Sequence, residues 1–156
     1  MKIGIIVHSI TGNTLSVAER IKQQLEKDGH FASIERIRPT GKEPVQNEAA
    51  VVLPSMPDLS SYEALIFGAP VQAFSLDPVM SAYLKKDPDL AGRKTICFLT
   101  QQLPFRFFAG NRSIKRLQAL CQAQNGAVCL TGIVNWSNKE REKMIDDLVS
   151  RISKQF

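Results

Sequence analysis

Cysteine is scarce in this chain. There are three, Cys97, Cys121 and Cys129, with no CxxC spacing and an odd total. That excludes a disulfide scaffold and a zinc ribbon, and it predicts reduced core thiols in a cytoplasmic protein. Histidine is scarcer: His8 and His30 are too few and too scattered to build a metal centre. No apolar run approaches the roughly 20 residues needed to cross a bilayer, so no membrane span is expected. The apolar run near the amino end is too short for a signal peptide and leads straight into a polar loop. Basic residues outnumber acidic ones, 20 to 15, yet no Lys/Arg run exceeds two. Charges of both signs alternate along the expected helices, a solvated-face pattern that points away from nucleic acid.

What is present is an ordinary globular composition, 44% hydrophobic and 22% charged over 156 residues. That length suits a single domain, residues 1–156, with a sizeable core. The chain is organised around its start. Lys2 to Val7 is a short, β-branched apolar run, the mark of a strand buried on both faces. Ser9 to Thr14 is small, hydroxylated and broken by Gly12, and from Thr14 onward the apolar spacing becomes helical. Strand, tight loop and helix in this order aim backbone N–H groups into one concavity, a site for a phosphate. Ser9, Thr11 and Thr14 add hydroxyls, Asn13 an amide, and Gly12 a close backbone approach. Residues 8–14 contain no lysine or arginine, so a Walker loop is excluded, and the spaced glycines of a dinucleotide loop are absent as well. Neutral donors suit a terminal phosphate monoester held without a metal.

Helical and strand patterns alternate along the rest. A helix is expected from about Asn13 to Asp28, with Val17, Ala18, Ile21 and Leu25 inward, and a less continuous strand at 31–37 suits a sheet edge. Residues 38–61 are irregular, with prolines at 39, 44, 54 and 57. Within them, residues 49–53 fit either a short helical turn or a strand. A third strand, 62–68, ends in a loop at 69–74, and Asp77 caps a helix with Pro78 in its first turn. A fourth strand lies within 93–100, followed by a loop at 101–110 and a helix carrying Ile114, Leu117, Leu120 and Cys121 inward. The fifth strand is 127–134. Ser137 to Glu140 reads as a capping box for the last helix. Five strands alternating with helices demand a parallel sheet covered on both faces, with right-handed crossovers.

Ser9-Ile10-Thr11-Gly12-Asn13-Thr14 after a first strand resembles the FMN phosphate loop of the flavodoxin superfamily. Gly68 to Phe74 is similar to that superfamily's second flavin loop, and its Gly-x-Pro start and trailing aromatic look more like the quinone reductases than the short electron carriers. The resemblance implies a three-layer α/β flavodoxin-like fold with strand order 2-1-3-4-5 and helices on both faces. It also implies FMN beyond the carboxyl ends of the strands, where the order reverses. The implied cofactor-binding residues are Ser9, Ile10, Thr11, Gly12, Asn13 and Thr14 for the phosphate. For the ring they are Pro70, Val71, Gln72, Ala73 and Phe74, with Thr100, Gln101, Gln102, Phe105, Phe107 and Gly110 from the third loop. Phe74 has two readings, cover for the ring or core anchor. Phe105, Phe107 and Phe108 either cover the ring or form a partner surface. The carriers' tryptophan, tyrosine and acidic rim are missing, and Arg106 and Arg112 stand in their place. No nucleophile–base pair stands out as catalytic, and His8 is expected to face the helix layer or solvent.

Three functions follow from the resemblance. The first is electron transfer through FMN to a redox partner protein or a small-molecule acceptor. The second is an NAD(P)H-dependent, FMN-containing quinone reductase, an oxidoreductase in its own right. The third is a binding module without redox chemistry.

Overall fold

The computed structural model describes residues 1–102 and 107–156, with residues 107 and 108 described in their backbone alone. Five parallel strands form the sheet: β1 (Lys2–Val7), β2 (Phe31–Arg36), β3 (Ala64–Gln72), β5 (Lys94–Gln101) and β6 (Ala127–Asn135). Their order is β2-β1-β3-β5-β6, and a two-residue strand, β4 (Ser75–Leu76), pairs antiparallel with β3. With β4 set aside, this is the expected order 2-1-3-4-5. Four helices cover the sheet: α1 (Asn13–Lys27), α2 (Pro78–Lys85), α3 (Phe107–Ala123) and α4 (Arg141–Ser153). None of the described helices is long and apolar enough to cross a membrane.

The core divides into two layers because successive strand residues point to opposite faces. On one face Ile3, Ile5 and Val7 of β1 meet Val17, Ile21 and Leu25 of α1 and Ile145, Leu148 and Ile152 of α4. On the other, Ile6, Leu65 and Phe67 meet Val79, Met80 and Tyr83 of α2 and Leu117 and Cys121 of α3. Each large apolar side chain so buried contributes about 1.5–3 kcal/mol. Gly68 makes the middle of the sheet possible: a Cβ there would lie 2.2 Å from the Phe98 ring.

Several boundaries differ from the sequence reading. β3 does not stop at Gly68 but runs on through Pro70, Val71 and Gln72. The Gly68 carbonyl still serves β1, accepting from His8 N–H at 3.1 Å. Two residues later, on the same side, the Pro70 carbonyl accepts from Asp77 N–H at 3.2 Å. β4 therefore takes up the place beside β3 where β1 ends, and proline's missing N–H falls where no ladder needs it. β5 likewise keeps Thr100 and Gln101 in the strand, and α3 begins early enough to hold Phe107 and Gly110. Residues 49–53 resolve to a single 3-10 turn, Glu48–Ala50, capped by Asn47 accepting from Ala49 N–H at 3.0 Å.

The capping box does not form. α4 starts at Arg141 without a side-chain cap, and the Ser137 hydroxyl instead donates to the Gln102 carbonyl. Cys129 is not a core thiol. The β5–β6 register steps from Thr95–Val128 to Ile96–Leu130, so Cys129 is the extra residue of a β-bulge and is exposed. Cys97 and Cys121 are buried as expected, their sulfurs 3.7 Å apart.

Candidate functional site

The ends of β1, β3 and β5 converge because their registers align: Val7 pairs with Gly68, and Pro70 with Thr100. The loop 8–12 leaves β1 at this point. Gly12, at φ 93°, turns the chain into α1 as its N-cap, and nothing lies within 4 Å of where a Cβ would stand. The helix start has no side-chain cap. Among the described residues, no acceptor meets the N–H groups of Ile10, Thr11 and Gly12. Free N–H groups at the positive end of a helix form an anion cradle. Thr11 and Gly12 are exposed, and Ile10 and Asn13 half-buried, so the cradle opens outward.

Two members of the sequence-predicted set turn inward. Ser9 is buried and its hydroxyl accepts from Leu15 N–H at 3.3 Å. The Thr14 hydroxyl pairs with that of Thr100 at 2.7 Å, both buried. That bond ties the first loop to the third, a contact across 86 residues that no local pattern announces.

On the second side of the convergence, Ala73 (φ 46°) and Phe74 (φ 66°) form the two-residue turn between β3 and β4. Phe74 is 44% exposed at the tip, which settles its two readings against a core anchor. Its carbonyl accepts from Arg112 at 2.9 Å. The Gln72 amide donates to the Val45 carbonyl at 3.0 Å. On the third side, Gln101 is 7% exposed, and its side-chain oxygen has no partner among the described residues. A Cβ on Gly110 would stand 2.4 Å from that oxygen, so glycine there leaves Gln101 its place. Gln102 is exposed beside it. Phe105 and Arg106 lie outside the described residues, as do the side chains of Phe107 and Phe108.

Under this site lies a charged cluster that no local pattern announces, with His8 and Asp77 buried and Glu43 at its outer edge. His8 is 2% exposed and lies in the helix layer, at the start of α2. Its Nδ1 lies 2.7 Å from Asp77 Oδ2, and its Nε2 bonds the Glu43 carboxylate. A ring with a carboxylate on each nitrogen holds both protons, and is then an imidazolium donating twice. Burial alone lowers the His8 pKa, but the hydrogen bonds and attraction of Asp77 and Glu43 outweigh it and raise it overall. Asp77 is fully buried and also caps α2, accepting from Met80 N–H at 2.9 Å. Glu43 carries the irregular stretch 38–61 onto the end of β1. The available signal was a histidine closing an apolar strand: a buried histidine needs partners, and here they come from far along the chain.

No known family's sequence profile matches the chain. It superposes over its full length on oxidised flavodoxin 2 from Bacillus cereus, covering all of that chain, with TM-score 0.71 and 17% identity. Against the flavodoxin of Streptococcus pneumoniae the score is 0.69 at 12% identity, again with both chains fully covered. The flavodoxin-like fold is the fold of this chain. A WrbA-like flavodoxin from Agrobacterium tumefaciens superposes on 99% of it, covering 96% of that protein, with TM-score 0.70 and 14% identity. In sequence it is similar to an NAD(P)H dehydrogenase (quinone) from Archaeoglobus fulgidus, 30% identical over 103 residues. That match takes in 59% of this chain and 52% of the relative, so the chain spans about half the relative's length.

A flavin carrying a phosphate group is compatible with the chemistry of these residues. The uncapped cradle at residues 10–12 suits its phosphate. The orphaned Gln101 oxygen suits a donor on the polar edge of its ring.

Proposed function

We propose that this chain binds FMN and moves electrons through it. The observation that carries the reading is the row of acceptor-free N–H groups at residues 10–12, opening α1 beside the converging ends of β3 and β5. A bound flavin supplies the electron chemistry, and the protein supplies placement and electrostatics. The loop from Ser9 to Thr14 holds the phosphate through the backbone N–H groups of residues 10–12, with Thr11 and Asn13 free to donate from the side chain and Ser9 and Thr14 bracing the loop from within. Pro70 to Phe74 and Thr100 to Gln102 flank the ring, and Phe74 stands exposed at the hairpin tip to cover it. The electron acceptor is a redox partner protein or a small molecule. The chain's net charge of +5 favours acidic partners, with association weakening as salt rises. The reading places the protein in the cytoplasm, where the buried thiols Cys97 and Cys121 stay reduced.

A second reading, an NAD(P)H-dependent quinone reductase, is favoured by the relative from Archaeoglobus fulgidus. Anaerobic addition of NAD(P)H separates the two: direct bleaching of the bound flavin supports the reductase, and no bleaching supports a carrier that needs a partner.

The site itself is tested by Thr11→Ala, which removes the exposed hydroxyl of the loop and leaves the buried Thr14–Thr100 bond in place. Each hydroxyl bond to a charged phosphate is worth about 1.5–3 kcal/mol. FMN affinity is expected to fall at least tenfold in a flavin-fluorescence titration, and unchanged affinity would remove the phosphate from this loop.

A further inference from the structure

A second cleft lies between the β3–β4 hairpin and α3, with a volume of about 280 Å³. Arg112, Ser113 and Arg116 line it from α3, Ser75 from β4, and Glu48 and Ser81 from the opposite side. Arg112 and Arg116 are one helical turn apart, so their guanidinium groups reach the same space. Arg112 is held by its bond to the Phe74 carbonyl, which leaves the rest of its fork of donors for another acceptor. Among the described residues Arg116 makes no ion pair. Glu48 feels the Arg116 charge but offsets only one cation, and its carboxylate is bonded to Lys85 through one oxygen at 2.6 Å and to Ser81 through the other at 2.9 Å. Three cations against one carboxylate leave two positive charges at the cleft.

A second, independent observation points to a ligand. Ser113 is 1% exposed, and its hydroxyl has no partner among the described residues. A buried serine in a helix ordinarily bonds the carbonyl four residues back, and Ser113 does not. Paired cationic forks, hydroxyls and a double positive charge match one ligand chemistry.

We propose that this cleft binds a phosphate monoester dianion, with Arg112 and Arg116 clamping its oxygens and Ser113 completing the set; the Ser75 hydroxyl at its edge donates to the Gln72 carbonyl at 3.3 Å. This site is separate from the loop at residues 9–14 and does not depend on the flavin reading. The Glu48 carboxylate opposes any anion there, and the cations around the cleft outweigh it.

The test is a titration of the full chain with inorganic phosphate at constant ionic strength, followed by amide shifts in ¹H–¹⁵N spectra. Saturable shifts are expected at Ser75, Arg112, Ser113 and Arg116, and the amides of residues 9–14 report the other site separately. Arg112→Gln with Arg116→Gln, both exposed positions, is expected to weaken the cleft's affinity at least tenfold. Ser113→Ala, which removes an unpartnered hydroxyl and leaves the helix intact, weakens it about threefold, and Glu48→Gln tightens it. Parallel titrations with 2′-AMP, 5′-AMP and adenosine identify the source. A nucleotide tighter than phosphate assigns the cleft to a nucleotide's phosphate, and equal affinity assigns it to phosphate alone. Shifts confined to residues 9–14, or cleft shifts that persist in the double variant, overturn the proposal.

Discussion

Tyr83 is fully buried in α2, its ring 6.5 Å from that of Phe67, and its hydroxyl has no partner among the described residues. Burial drives the phenol's pKa well above its ordinary value. An unpaired buried hydroxyl costs about 1–3 kcal/mol. Tyr83→Phe is therefore expected to raise the free energy of unfolding by about 1 kcal/mol in urea titrations, and a loss of that size would mean the hydroxyl has a partner. His8 gives a signature in pH. Its pKa is raised on folding, so its contribution is complete below the ordinary value of 6.5 and is lost as pH climbs through the folded pKa. The stability difference between wild type and His8→Gln should be largest at acid pH and shrink toward pH 9. A difference that is flat or grows with pH would rule out the imidazolium. Neither residue's state was legible in sequence. Tyr83 lies on the buried face of α2, but whether its hydroxyl finds an acceptor depends on other elements. The partners of His8 lie 35 and 69 residues away.

At the scale of elements, the β3–β4 hairpin shows where local patterns fall short. A two-residue hairpin turn wants positive φ at both positions, ordinarily supplied by Asn-Gly. Here Ala73 and Phe74 supply it, at about 1–2 kcal/mol of strain per residue. With no glycine to mark the turn and a proline inside the strand, Pro70 to Phe74 reads as a loop. The strain motivates Ala73→Gly, which relieves it at the cost of a more flexible unfolded chain. A net gain of about 0.5 kcal/mol or more is expected in thermal or urea unfolding, and lower stability would show that the turn is not held in this conformation. The helices were legible. Val17, Ala18, Ile21 and Leu25 in α1, and Val79, Met80 and Tyr83 in α2, are buried as their spacing demands. The last helix buries Ile145, Leu148 and Ile152 but lacks its expected cap, because Ser137 is drawn across to the end of β5.

At the scale of the whole molecule, the alternation of strands and helices settled the architecture, since parallel strands with right-handed crossovers leave few ways to cover both sheet faces. The same topology brings residues 8–14, 70–74 and 100–102 to one end of the sheet, so most of the candidate site could be placed from sequence. What sequence could not place are the long-range bonds that shape it: Thr14 to Thr100, His8 to Asp77 and Glu43, and Arg112 to the Phe74 carbonyl. In the proposed function the open cradle at residues 10–12 receives the phosphate of a flavin. Its most direct test is a pair of fluorescence titrations, FMN against riboflavin, which differ only in that phosphate. With each bond to the charged group worth about 1.5–3 kcal/mol, FMN should bind at least tenfold tighter than riboflavin. Equal affinities, or no saturable quenching by FMN, would show that the cradle does not hold a flavin phosphate.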